Sequence, residues 1–410
     1  MGFTGKICDV MKQNYRPYNI LVFLATGDWQ INTFKRLLTA VGKELNNRTP
    51  SSILLCMQRP VCFLTAPILS PKRWYNKITG KSCMKKATDN IYIITPWVVL
   101  HDIAARYVPF AEKVNCWLVG KQIKRATNLL GIKVNIVWLS HPYQAAYVNT
   151  MPGTPVIYQC FDAFEEFAPN KILKERIVKD EIKILKQVRC VFATSTALVE
   201  KCSKINPNVW GIPNGADYEH FANKYDDPSI LNKLPRPLIG FVGKINGKIN
   251  FKLINDIARL KPNWSFIYLG VFDGTKKLEK DADYILSRKI KNIHYMGFIE
   301  YSVLPSFVKS FNACIIPSVN SKVTNAVYPL KINEYLAAGK PVVSTSQPEL
   351  ECFEKKNLVV FADEPVYFVT KLAEAIETDS SEKVKERQLV ASMNDWQKRA
   401  ENLLNALKDL

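Results

Sequence analysis

Apolar runs of strand length alternate with helix-periodic stretches along this chain, and the alternation breaks off once and then restarts. YNILVFLA (18–25) ends at the turn Thr26-Gly27-Asp28 and is followed by FKRLLTAVGKEL, which gives a strand, a loop and a helix in succession. SSILLCM, NIYIITP, VNIVWLS, PVIYQCFD and RCVFATS continue the series, with helices predicted around 111–130 and 171–187. Strands that are apolar throughout and separated by helices predict parallel sheets covered on both faces. Turn formers interrupt the rhythm between Pro207 and Pro237, after which PLIGFVG, SFIYLGV, NIHYMGF, NACIIPS, PVVST and LVVFA repeat it. This predicts two doubly wound α/β domains, residues 1–221 and 238–380, joined by a linker at 222–237. Residues 381–410 read as helices packing back toward the N-terminal domain, with Leu389, Met393, Trp396, Ala400, Leu403 and Leu407 as an apolar stripe. At 410 residues the chain is long enough to bury two cores, and no run of eighteen apolar residues predicts a membrane span.

Charge narrows the partners. The chain carries a net +19, and its first 150 residues hold 20 basic and 6 acidic side chains. From Arg48 to Lys86 there are eight basic residues and no acidic one, with Lys72, Arg73, Lys77, Lys81, Lys85 and Lys86 around Trp74 and Tyr75. Lys113, Lys121, Lys124 and Arg125 are mixed with Phe110, Val114, Trp117, Leu118 and Ile123 at about helical spacing, the pattern of an interfacial amphipathic helix. Either stretch also reads as the solvated face of a basic protein; together they favour an anionic membrane surface or an acidic acceptor. Nucleic acid fits the charge, but no zinc-finger spacing, RNA-binding aromatic motif or helix-turn-helix accompanies it. The ten cysteines are dispersed, with no CxxC pair, and read as reduced, mostly buried residues. MGFTGKICDVMKQNYRP has no apolar core before a small-residue cleavage site, which predicts a cytoplasmic chain.

In open α/β sheets ligands bind outside the carboxyl ends of the strands, so a cleft between two facing sheets is the expected site. The most informative string is PLKINEYLAAGKPVVST (329–345). Pro329 fits a first helical turn, Gly339 a left-handed C-terminal cap, and PVVST the next buried strand. Amides at the start of this helix, at Leu330 and Lys331, can hold a diphosphate, and the Lys331 ammonium adds a point charge. Glu334, one turn further in, can accept hydrogen bonds from both vicinal hydroxyls of a ribose. A capped helix with a solvated glutamate would produce the same string. Asp281-Ala282-Asp283 has the spacing of a divalent-metal DxD pair, but it lies in a lysine-rich helical stretch and reads as surface, so neither a metal site nor a cofactor is predicted.

The same string, with CIIPS before it and IPNGADYEHF upstream, resembles GT-B glycosyltransferases, in particular glycosyltransferase family 4 (glycosyl transferases group 1). DWQINTFKRLLTAVGKEL, YQCFDAFEEF, VFATSTALVEKC, GFVGKI and NIHYMGFIEYSVLPSF occur in the family's order, so the likeness covers most of the chain. It implies two Rossmann-like domains facing across a cleft, a nucleotide-diphosphate sugar bound by the C-terminal one, an acceptor at the N-terminal one, and retention of anomeric configuration. Glu334 matches the second glutamate of the family's EX7E motif, while Ala326 stands at the first. Lys244 after Gly243, and Lys248, match phosphate-binding cations; Gly27 lies in the first-strand loop that faces the donor phosphates. Phe161 replaces the family's histidine, leaving Asp162 to position the acceptor hydroxyl and His141 as a substitute histidine, each of which also reads as a turn residue. The resemblance implies a hexosyltransferase; the lack of a carboxylate or histidine cluster predicts that it works without a metal, and the basic N-terminal half predicts an envelope polysaccharide or a lipid-linked acceptor and a peripheral place on the inner face of the plasma membrane. A nucleotide-sugar epimerase of the same fold and a catalytically weak binding subunit are the alternatives.

Overall fold

In the first half the apolar runs form strands, buried on both faces in the middle of the sheet and exposed at its edges, Met84–Lys86 and Val209–Gly211. The strands are β1 (Asn19–Phe23), β2 (Leu54–Met57), β3 (Val61–Cys62), β4 (Met84–Lys86), β5 (Ile91–Ile94), β6 (Trp97–Val98), β7 (Val134–Leu139), β8 (Val156–Cys160), β9 (Cys190–Ala193) and β10 (Val209–Gly211). Eight of them make one sheet in the order β10-β9-β8-β7-β1-β2-β5-β4, parallel except for β4 against β5, and β3 pairs with β6 in a separate parallel ribbon. Leu21 of β1 lies between Leu55 and Val137, the centre of this sheet. Helices α1 (Lys35–Arg48), α2 (Pro109–Leu130), α3 (Lys171–Leu185) and α4 (Thr196–Ser203) connect the strands, as the run lengths predict. The computed structural model describes residues 17–25, 29, 34–65, 68, 74–75, 84–101, 105 and 108–407. Gly27, and Lys72, Arg73, Lys77 and Lys81 of the basic stretch, lie outside them.

The second half has α5 (Tyr218–Ala222), β11 (Leu238–Val242), α6 (Phe251–Leu260), β12 (Ser265–Leu269), α7 (Ala282–Ser287), β13 (Ile293–Gly297), α8 (Leu304–Ser310), β14 (Ala313–Ile316), α9 (Lys322–Asn325), α10 (Lys331–Ala337), β15 (Val342–Ser344), β16 (Val360–Phe361), α11 (Pro365–Glu377), α12 (Ser381–Met393) and α13 (Trp396–Ala406). Its six strands are all parallel, in the order β13-β12-β11-β14-β15-β16. Because strand side chains alternate, Leu238 and Val242 of β11 enter one core with Ile332, Tyr335 and Leu336 of α10, while Ile239 and Phe241 enter another with Ile254 and Ile257 of α6 and Phe368 of α11. Each face of the sheet therefore has its own apolar layer.

The described residues divide into two compact units, one drawn from 1–193, 198–212 and 400–410 and the other from 194–197 and 213–399. The division in the middle of the chain falls at Ile212/Pro213, ahead of the 222–237 segment read as a linker. Most of the C-terminal helical stretch also belongs to the second unit, because α12 lies on α10: Arg387 Nε donates to the Gly339 carbonyl at 3.0 Å and Gln388 Nε2 to that of Ala337 at 3.2 Å. Only the end of α13 joins the first unit, where Arg48 of α1 donates to Asn405 Oδ1 at 2.8 Å. The apolar stripe breaks at Asn394-Asp395, between the two helices. Trp396, Ala400, Leu403 and Leu407 are buried, whereas Leu389 and Met393 are exposed.

Helix α2 divides the residues read as an interfacial stripe. Its buried face is Asn115, Val119, Ile123, Ala126 and Thr127, so Ile123 packs inward while Phe110 and Trp117 stay exposed. Two amides set the rotation: Asn115 Oδ1 accepts from the Val99 amide at 3.1 Å while its Nδ2 donates to Leu100 O, and Gln122 brackets Trp97 through that residue's amide and carbonyl. Amides that satisfy an irregular backbone belong inside. Among the described cysteines, Cys56, Cys62, Cys160, Cys190, Cys202 and Cys314 are buried and Cys352 is exposed, all of them free thiols. No described helix is long and apolar enough to cross a membrane.

Candidate functional site

In the second unit the carboxyl ends of β11 and β12 are joined by close backbone approach. The Gly243 amide donates to Leu269 O at 2.8 Å, and Gly270 continues with a bond from its own amide to Gly297 O at 2.7 Å. Gly243 has φ +148° and Gly270 φ +150°, a region that L side chains rarely adopt. A Cβ on Gly270 would run into the Gly243 carbonyl, and one on Gly243 into the Lys331 side chain. The glycine after β11 is therefore required both by its own backbone and by the lysine laid against it.

Lys331 opens α10, with Leu330 at the N-cap in helical conformation. The Tyr335 hydroxyl, one turn on, accepts the Val242 amide at 2.8 Å and fixes the helix to the end of β11. Burial pushes the Lys331 ammonium below its usual range, the Glu334 carboxylate opposes that shift, and Lys248 adds to it. Glu334 is itself only 4% exposed. Lys248 is carried by a segment whose neighbours hold it: Val319 donates to the Lys248 carbonyl at 2.9 Å and Asn250 to Pro317 O at 2.8 Å. Lys244, directly after Gly243, pairs with Asp273. Gly243 thus meets Lys331, on which Glu334 and Lys248 act electrostatically and which Leu330 precedes at the N-cap, while the Lys244 ammonium is turned to Asp273. The cluster can take a multiply charged oxyanion at the Lys331 ammonium beside glycine backbone, with a carboxylate one helical turn away.

Several supports were not apparent from the string alone. Asn333 Nδ2 donates to Asn214 O at 2.9 Å and its side chain also bonds the Tyr328 hydroxyl, so the IPNG turn holds α10 from outside. The hint was an asparagine between Ile332 and Tyr335, on a helix whose residues from Ile332 to Ala337 are all buried. Gly339 has φ +77° and closes α10 as expected. Ala326 ends α9, and its carbonyl accepts the Ser195 hydroxyl at 2.7 Å. Asp281 caps α7, accepting from the Tyr284 amide at 2.9 Å, which agrees with a surface reading of DAD. Among the described residues no three His, Cys, Asp or Glu side chains gather as they would around a metal.

The first unit places His141 and Asp162 just past the ends of β7 and β8. His141 Nδ1 accepts the Tyr143 amide at 3.1 Å, which puts the ring proton on Nε2. The following 3-10 turn, Pro142–Tyr147, grips the end of β1: Ser140 Oγ donates to Phe23 O at 2.6 Å and Tyr143 Oη to Leu24 O at 3.0 Å. Rings line this edge. His141 stands 4.1 Å from Phe164, Phe164 4.8 Å from Phe161, and Phe161 4.5 Å from Phe34, centroid to centroid. Arg59, past β2, lies over the Tyr143 ring at 5.5 Å. Asp162 adjoins Phe161, and its carbonyl accepts from the Cys160 thiol at 4.0 Å. Behind them Lys201 is held by Glu165 at 2.8 Å and Glu181 at 2.6 Å, a buried network anchored on β8 by the Tyr158 hydroxyl.

Residues 236–378 match the family model described as glycosyl transferases group 1. TuaH of Bacillus subtilis (strain 168), named as a teichuronic acid biosynthesis glycosyltransferase, is 30% identical over 274 residues, covering 60% of this chain and 68% of TuaH. The chain belongs to the group 1 glycosyltransferases. Solved structures agree on the GT-B fold. Sucrose-phosphate synthase from Thermosynechococcus elongatus superposes with a TM-score of 0.68 at 13% identity, over 96% of this chain and 98% of that one. Anabaena Alr3699/HepE, solved in complex with UDP-glucose, gives 0.66 at 14% identity, over 96% and 100%. In this glycosyltransferase the family match lies wholly within the unit that carries Gly243, Lys331 and Glu334.

Proposed function

We propose that this glycosyltransferase moves a sugar from a uridine diphosphate sugar to an envelope polysaccharide or lipid-linked acceptor, with retention of anomeric configuration. The observation that carries the donor half is Lys331 laid against Gly243 with Glu334 one turn behind it. Gly243 and Leu330 let the diphosphate approach backbone; Lys331, Lys244 and Lys248 offset the charge that grows on it as the glycosidic bond breaks, without a metal. Glu334 accepts from the ribose hydroxyls. Gly27 is assigned to the donor phosphates on the family resemblance. The base follows the UDP-glucose complex of HepE, and the acceptor class follows the name of TuaH together with the 20 basic and 6 acidic residues of the first 150.

On the acceptor side, Asp162 accepts a hydrogen bond from the attacking hydroxyl. His141, protonated on Nε2, acts as a hydrogen-bond donor rather than a general base. Such an acceptor is met at the inner face of the plasma membrane, which places the chain there peripherally from the cytoplasm. The test is UDP release from a panel of UDP-sugars, with and without a membrane lipid extract, in excess EDTA, followed by assignment of the product anomer. Acceptor-dependent turnover that survives chelation and yields the donor's anomer is expected. Turnover lost in EDTA and restored by magnesium overturns the metal-free step, and an inverted product overturns retention.

A further inference from the structure

The buried side of α2 is fixed by Asn115 and Gln122, and that rotation turns a particular set of residues outward. Phe110 is 77% and Trp117 57% exposed, and Lys113, Lys121 and Lys124 are exposed with them. Their spacing of three, four, four and three places all five on one stripe of the helix. The Lys121 ammonium sits 3.8 Å from the centre of the Trp117 ring. Glu112, the one acidic residue of α2, is drawn toward α3 by Arg176 at 3.6 Å. Gln122 and Asn115 also bring the β3/β6 ribbon against this helix, and there Phe63, 56% exposed, stands 5.6 Å from the Trp97 ring. The ribbon packed on this helix thus leaves a large ring of its own uncovered, and the helix leaves Phe110 and Trp117 uncovered among its lysines.

Exposed rings of this size normally mark a contact surface. Their interleaving with ammonium groups selects the partner. Against a packed protein surface each lysine would be desolvated and would need its own carboxylate, whereas in a lipid headgroup layer the rings enter the interface while the lysines reach phosphates. The geometry points to the outer face of α2 as the surface by which this enzyme docks on an anionic bilayer. Docking there would bring the first unit, proposed to hold the acceptor, to the phase in which a lipid-linked acceptor resides. The proposal rests on that acceptor class for its purpose alone; vesicle binding is read with neither donor nor acceptor present, so the two can fail separately.

The full chain is cosedimented with vesicles of phosphatidylcholine alone and of phosphatidylcholine with one third phosphatidylglycerol. Binding to the second and not the first is expected, and Lys113→Gln/Lys121→Gln/Lys124→Gln should weaken it about a hundred-fold at low salt and much less at high salt. Phe110→Ser/Trp117→Ser should weaken it about ten-fold or more at either salt. UDP affinity, measured on both variants, should match the parent and show that the second unit is intact. Parent and both variants sedimenting alike overturns the proposal. So does equal binding to both vesicle types, and so does self-association of the parent, without vesicle binding, that the aromatic variant abolishes, since the face would then belong to a second copy.

Discussion

In the second unit the cluster is held by backbone: a Cβ on Gly270 would strike the Gly243 carbonyl, Gly243 itself has φ +148°, and Tyr335 and Asn333 bond main-chain groups of β11 and the Asn214 turn. In the first unit the corresponding strand ends are lined by rings, Phe34, Phe161, Phe164 and His141, which touch by side chains. Backbone contacts forbid most substitutions, whereas ring contacts accept many. A donor shared across a family can be served by the first kind of construction. An acceptor that differs from one member to the next calls for the second.

The sharpest way to break this contrast is Gly270→Ala. Backbone strain and overpacking cost about 1–3 kcal/mol each, so the unfolding midpoint of the second unit should fall and UDP binding should disappear with it. A variant with parental stability would mean that the close approach at Gly243 relaxes freely. Asp162→Asn should lower acceptor-dependent turnover by about 10²-fold with UDP-sugar affinity unchanged, a split that steady-state kinetics beside calorimetric titration would show. If donor affinity fell equally, the two units would not divide the substrates as proposed.

Glu334→Ala should weaken UDP-sugar binding by about 1.5–3 kcal/mol, the range for hydrogen bonds to a charged group, and identical titration curves would remove Glu334 from the donor site. The smallest effect concerns pH. Burial holds Lys331 below 10.5, and a bound diphosphate raises it again, so binding takes up a proton. UDP affinity should be full below the pKa of the free site and decline as pH rises through it toward the ordinary lysine range. Lys331→Arg, which stays charged, should flatten that decline. A pH-independent parent would place the phosphates elsewhere.

Much of this was legible in sequence for a physical reason. Buried parallel strands must be apolar on both faces, so β1, β8, β11 and β14 announce themselves, and PLKINEYLAAGKPVVST contains both the cap and the strand that follow α10. What failed to read were polar residues facing inward. Asn115 and Gln122 look like surface positions, so the inward turn of Ile123 on α2 did not read, and the Asn394-Asp395 break was hidden by apolar residues on either side. Asp273 and Asn214 bond across long sequence separations, which no local pattern reveals.

Arg387 carries a last consequence. Only 6% exposed, it reaches from α12 to the carbonyl of Gly339 and to Asp379 at 2.5 Å, completing the end of the helix whose beginning presents Lys331. Shortening the protein at residue 380, where the strand-and-helix pattern of the second repeat ends, would strip a cation from the negative pole of α10 and open that end of the helix to water. A second unit excised from this enzyme must therefore extend to Arg399, and tags or fusions belong beyond the last helix rather than at the apparent close of the repeat.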